Sequence, residues 1–125
     1  MISWGFELLS ENYFYTKDIL NRNVKLTITQ LHTHILGKGG HTEMAFDPKS
    51  ISKTVEDPDY IYESKSNDQR DLYFGLGCHK IFKKMYVKVV VDYTNISEGN
   101  VITSYISETV SGDLGRIKYE KSTTI

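Results

Sequence analysis

The chain has 125 residues, 39% of them hydrophobic and 25% charged, with two prolines and nine glycines. That balance excludes collagen-like, low-complexity and strongly disordered classes and sets the size of one ordinary domain. Fifteen basic against sixteen acidic residues leave a net charge of −1, so any polyanion partner must be met by a local patch rather than by the whole surface.

Ile2, Trp4, Phe6 and Leu8 alternate with smaller or polar residues and predict an N-terminal strand. The start has no basic segment followed by an apolar run, and no apolar stretch approaches the roughly 20 residues of a bilayer span. The expectation is a cytoplasmic protein with no membrane partner. After an irregular aromatic stretch, Val24–Ile28 alternates again. Thr29 then stands at an N-cap position before a helix over Gln30–Leu36, which Gly37, Gly39 and Gly40 terminate. Asp47-Pro48 opens a second helix, running to about Glu56, with Ile51 and Val55 on one face and Asp57-Pro58-Asp59 as its stop.

From Tyr60 onward the pattern is β: Tyr60–Ser64, Asp71–Leu76, Met85–Tyr93 and Val101–Ser107, joined by loops at 66–69 and 97–100. Arg116–Tyr119 can add an edge strand to an otherwise polar tail. Together these elements predict a single α+β domain: N-terminal strands and two short helices packed on a four- to five-stranded antiparallel meander. Its parts are an extension over 1–23, a core over 24–108 and a tail over 109–125. The single cysteine, Cys78, can form no internal disulfide.

Alternation sends Met85, Val87, Val89, Val91 and Tyr93 to the core and leaves Lys88 on an open face. In the next strand Ile102, Ser104 and Ile106 point inward, and Val101, Thr103, Tyr105 and Ser107 outward. Lys88, Thr103 and Tyr105 therefore share a surface: either a solvated face of ordinary β-formers or a place where a cation and two hydroxyls meet a phosphate. His32, His34 and His41 surround the first helix and its exit, and histidine is the side chain best suited to proton exchange near neutrality. The alternatives are a buried, satisfied imidazole at His34 and a solvated one at His32. Neither these histidines nor Cys78-His79 has the spacing of a zinc site, so no metal or other cofactor is expected.

Charge is unevenly distributed. Residues 43–63 carry six acids against two lysines, whereas residues 65–91 carry six basic residues against two acids. Arg70, Tyr73, Lys84 and Tyr86, in the basic part, are the residues expected to meet a polyanion such as RNA, if one binds. The other reading of that part is a sheet that carries lysines to block edge pairing.

Five segments, Leu31-His32-Thr33-His34-Ile35-Leu36, His41-Thr42-Glu43, Val55–Ile61, Tyr86–Val91 and Val101–Tyr105, occur in an order that resembles the phage-associated branch of the barnase, EndoU, colicin and RelE-like (BECR) nuclease superfamily. Gly37–Gly40 lengthens the step to His41, and Thr42 stands where that branch has a proline. The resemblance implies a small, toxin-like, metal-independent endoribonuclease with RNA as substrate and a cognate antitoxin or immunity protein as partner. It implies attack of the 2′-hydroxyl on the adjacent phosphodiester to leave a 2′,3′-cyclic phosphate. His34 and His41 would move protons, Lys88 would stabilise charge, and Thr103 and Tyr105 would orient the phosphate. The alternative is a noncatalytic α+β module that binds protein or nucleic acid through its tyrosine-rich sheet.

Overall fold

A computed structural model describes residues 11–37 and 39–122, so the strand expected over Ile2–Leu8 lies outside the described residues. The fold is α+β, but its sheet is seven-stranded and mixed, in the order β1-β2-β6-β5-β4-β3-β7. In chain order the strands are β1 (Asn12–Lys17), β2 (Asn23–Thr27), β3 (Tyr60–Ser64), β4 (Arg70–Leu76), β5 (Tyr86–Asn95), β6 (Glu98–Ser107) and β7 (Leu114–Glu120). Strands β3 to β6 form the expected antiparallel meander. Three additions enlarge it. β7 pairs antiparallel with β3 on one side, and on the other β2 runs parallel to the start of β6 and carries β1 with it.

The aromatic stretch read as irregular is β1. A bulge between Asn12 and Phe14 breaks its alternation, and the neighbouring rings of Tyr13 and Phe14 both pack against the core. Thr27, not Thr29, caps the first helix: its hydroxyl accepts the Gln30 N–H at 3.1 Å. A single α-turn, α1 (Ile28–Gln30), then widens into a π-turn over Leu31–Ile35, closed by Leu36 N–H on Leu31 O. The second helix, α2 (Lys49–Glu56), follows Pro48 as expected and buries Ile51 and Val55. The Asp47 carboxylate does not cap it; the side chain accepts the Lys80 N–H at 2.9 Å, and Ser50 bonds the Asp47 carbonyl instead.

The core lies between one face of the sheet and α2 with the α1 turn, and contains Val24, Leu26, Leu31, Ile35, Met44, Ile51, Val55, Ile61, Tyr73, Val87, Val89 and Val91. Burial of such side chains supplies the main driving force for folding. In β6 the pairing shifts, so that Val91 faces Val101 while Val90 faces Thr103. The extra residue is Ile102. This bulge turns Val101 into the core at 2% exposure and leaves Ile102 half-buried, reversing the assignment that strict alternation gives. The connection between β5 and β6 is also shorter than expected, two residues, with Glu98 to Asn100 already in the strand. Among the described residues no helix is long and apolar enough to cross a membrane.

Candidate functional site

Beyond the bulge, β6 keeps its register with β5: Lys88 faces Tyr105 and Val90 faces Thr103. Lys88, Thr103 and Tyr105 thus share the face away from the core. His41 reaches this group from outside the sheet, its ring centroid 4.7 Å from that of Tyr105 with the planes 32° apart. The local sequence explains how. Gly39 takes a φ of 80°, which reverses the chain after the π-turn, and His41 N–H closes the loop on Ile35 O at 2.6 Å. A 3-10 turn over Thr42–Phe46 follows and is anchored by fully buried Met44.

β2 pairs only with residues 98–100, so other groups serve the edge of β6 farther along. Gln30 Nε2 donates to Ile102 O at 2.6 Å, and Glu43 Oε2 accepts the Ile106 N–H at 3.3 Å. His79, fully buried, accepts the Ile81 N–H at Nδ1 (3.1 Å) and so carries its proton on Nε2, which bonds Glu43 O at 3.0 Å. Its role is to fix the turn that carries His41. Gln30, Glu43 and His79 hold the edge of β6 and the turn that carries His41, a part for which the strand and helix patterns marked none of them. The nearest signal was Glu43, two places after His41.

Lys88 is not on an open face. It is 5% exposed, and its ammonium donates to the carbonyls of Ser111 (3.0 Å) and Gly112 (3.3 Å). The Phe74 and Tyr105 ring centroids each lie 5.4 Å from Nζ. Among the described residues no carboxylate comes within 4.0 Å of it. The covering segment is held by Asp113, which accepts from the Ser64 and Ser66 hydroxyls and the Ser66 N–H; these bonds, Ser64 first, hold its carboxyl below the usual range. Gly112 has a φ of 85°, and a Cβ there would lie 3.1 Å from Lys88 Nζ, so a glycine admits the close approach.

His34 is exposed, as is His32. It does not flank the buried face because the π-turn is wider than an α-turn, so the third residue after Leu31 rotates farther from the side that buries Leu31 and Ile35. The residues expected to meet RNA are dispersed. Tyr73 is fully buried on the core face and has no ring surface to offer a base. Arg70 is paired with Asp92 at 3.1 Å and lies at the opposite end of β4 from Leu76, which faces Tyr86. Six strand positions, about 20 Å, separate those ends. Lys84 is exposed in the loop before β5, and Tyr86 is half-buried against Phe74.

A second polar cluster lies at the core-side end of β4 and β5. Arg22 bonds Asp18 at 2.9 Å, Asp71 at 2.7 Å and the Tyr73 hydroxyl at 3.0 Å, and its guanidinium lies 4.2 Å from the Tyr93 ring centroid. Tyr73 donates to Asp18 at 2.6 Å and also bonds Tyr93, while Lys118 shares Asp71 at 3.0 Å. Burial pushes both phenols up. On Arg22 burial acts downward but is outweighed by Tyr73, Tyr93, Asp71 and Asp18, so the guanidinium stays charged. Two carboxylates balance two cations here, and the cluster ties the β1–β2 turn to the meander. No group of three or more His, Cys, Asp or Glu side chains among the described residues is arranged to hold a metal ion.

No family model, no curated protein and no solved structure matches the chain significantly.

Proposed function

We propose that His41, Lys88, Thr103 and Tyr105 form the centre of a small, toxin-like endoribonuclease of the BECR kind. The observation that carries the reading is the stacking of His41 on Tyr105 beside a buried ammonium. His41 accepts the 2′-hydroxyl proton as the O2′–P bond forms; the P–O5′ bond breaks as the departing 5′-oxygen takes a proton from solvent water, and the products are a 2′,3′-cyclic phosphate and a 5′-hydroxyl. The Tyr105 and Thr103 hydroxyls donate to phosphate oxygens, and Lys88 supplies positive charge from a site of low dielectric. These groups provide proton transfer and charge stabilisation without calling on a metal. In this reading proton transfer falls to His41, stacked on Tyr105, rather than to exposed His34, and the RNA path is not carried by buried Tyr73. A toxin of this kind implies a neutralising partner protein.

Single-turnover cleavage of an RNA oligonucleotide by wild type and Tyr105→Phe tests the reading, with binding measured in parallel. The phenol's loss should cost about 2–4 kcal/mol of transition-state stabilisation and leave affinity within about twofold. Equal loss of binding and cleavage would sink the catalytic role of this strand. A second reading, a noncatalytic binding module, is favoured by one observation: the Lys88 ammonium already bonds the Ser111 and Gly112 carbonyls, as a purely structural lysine does. On that reading wild type binds RNA or protein and cuts nothing.

A further inference from the structure

Farther along the face that carries Lys88, a groove of about 590 Å³ opens between Tyr60 and Tyr62 of β3, Tyr86 of β5, Ile117 and Glu120 of β7, and the loop bearing Glu108. Its aromatic walls are held in place. Tyr62 and Tyr86 each meet Phe74 edge to face, at 6.3 Å and 88° and at 6.2 Å and 87°, and Tyr60 lies 6.2 Å from Tyr62. No lysine or arginine lines the groove, whereas two carboxylates do. Among the described residues neither Glu108 nor Glu120 has a cationic nitrogen within 4.0 Å.

Aromatic faces and unpaired carboxylates both attract cations, and the rings also receive the apolar stem of a long cationic side chain. The same two carboxylates repel a phosphate backbone, so the tyrosines of this groove are unsuited to RNA. Glu108 and Glu120 stand on different elements, which lets two cations be met at once. An extended chain with basic residues at alternate positions presents them on one side. The Tyr60 phenol is raised by Tyr86 first, then by burial, Glu120, Tyr62 and Asp59.

We propose that this groove docks an extended peptide segment bearing lysine or arginine side chains. The site is separate from the cleavage centre and stands or falls independently of it. The test is a titration, followed by NMR, with a hexapeptide of alternating lysine and serine, its acetyl-lysine counterpart, tetramethylammonium and an RNA hexanucleotide. The lysine peptide should shift the ring resonances of Tyr60, Tyr62 and Tyr86. Its affinity should fall about threefold to tenfold in the double variant Glu108→Gln/Glu120→Gln, whose exposed positions leave the fold intact. RNA cleavage by that variant should match wild type. Four results would each overturn the proposal: no shift at the tyrosines with the lysine peptide, equal binding of the acetylated peptide, tetramethylammonium as tight as the lysine peptide, or unchanged affinity in the double variant. Binding of the hexanucleotide at the tyrosines in place of the peptide would assign the groove to nucleic acid instead.

Discussion

His41→Ala is expected to lower single-turnover RNA cleavage by about 10²- to 10⁴-fold, the range that a positioned proton-transfer group supplies. The fold should survive. The loop around this residue is held by its backbone, through His41 N–H on Ile35 O and Met44 N–H on His41 O, and alanine keeps both bonds. What is lost is the imidazole over the Tyr105 ring. His34→Ala, by contrast, removes an exposed side chain and should change cleavage less than about twofold. The opposite ranking, a dead His34 variant beside an active His41 variant, would return proton transfer to the His-Ile step of the π-turn and detach the centre from Tyr105.

Arg22→Leu should destabilise the protein by about 3–5 kcal/mol, read as a shift in the urea midpoint at unchanged slope. The Asp18 side chain is 0% exposed and that of Asp71 is 4% exposed, and Arg22 bonds both. Leucine would fill part of the space but leave two buried carboxylates with only the Lys118 ammonium between them. Asp18 also accepts the Leu20 and Arg22 amides of the β1–β2 turn, so a carboxylate forced to protonate would loosen that turn as well. The surface pair of Arg116 and Glu63 supplies the contrast. The Arg116 side chain is 81% exposed, and Arg116→Ala should cost no more than about 0.5 kcal/mol. Equal effects at Arg22 and Arg116 would show that the buried cluster is not what joins the hairpin to the meander.

The meander was legible because its cues are local. Alternation and turn-forming residues gave β3 its observed bounds and placed Lys88, Thr103 and Tyr105 on one face. What escaped was set by longer-range contacts or by breaks in period. The parallel pairing of β2 with β6 joins residues some 75 positions apart and leaves no trace in either strand's pattern. Single extra residues at Tyr13 and Ile102 disguised β1 and exchanged the roles of Val101 and Ile102. One widened turn moved His34 away from the buried side, and the 111–113 segment closed over Lys88. The Arg22 cluster draws Asp71, Tyr73, Tyr93 and Lys118 from distant parts of the chain to the turn that holds Asp18 and Arg22, a meeting that no local pattern announces.

The central claim is that the face shared by His41, Lys88, Thr103 and Tyr105 cuts RNA through its own 2′-hydroxyl. It is tested most directly by incubating the purified protein with total RNA in excess chelator and analysing the new ends. The account predicts cleavage that persists in chelator and leaves 2′,3′-cyclic phosphates opposite 5′-hydroxyls. RNA left intact, or cut only when metal is supplied and ending in 3′-hydroxyls, would contradict it.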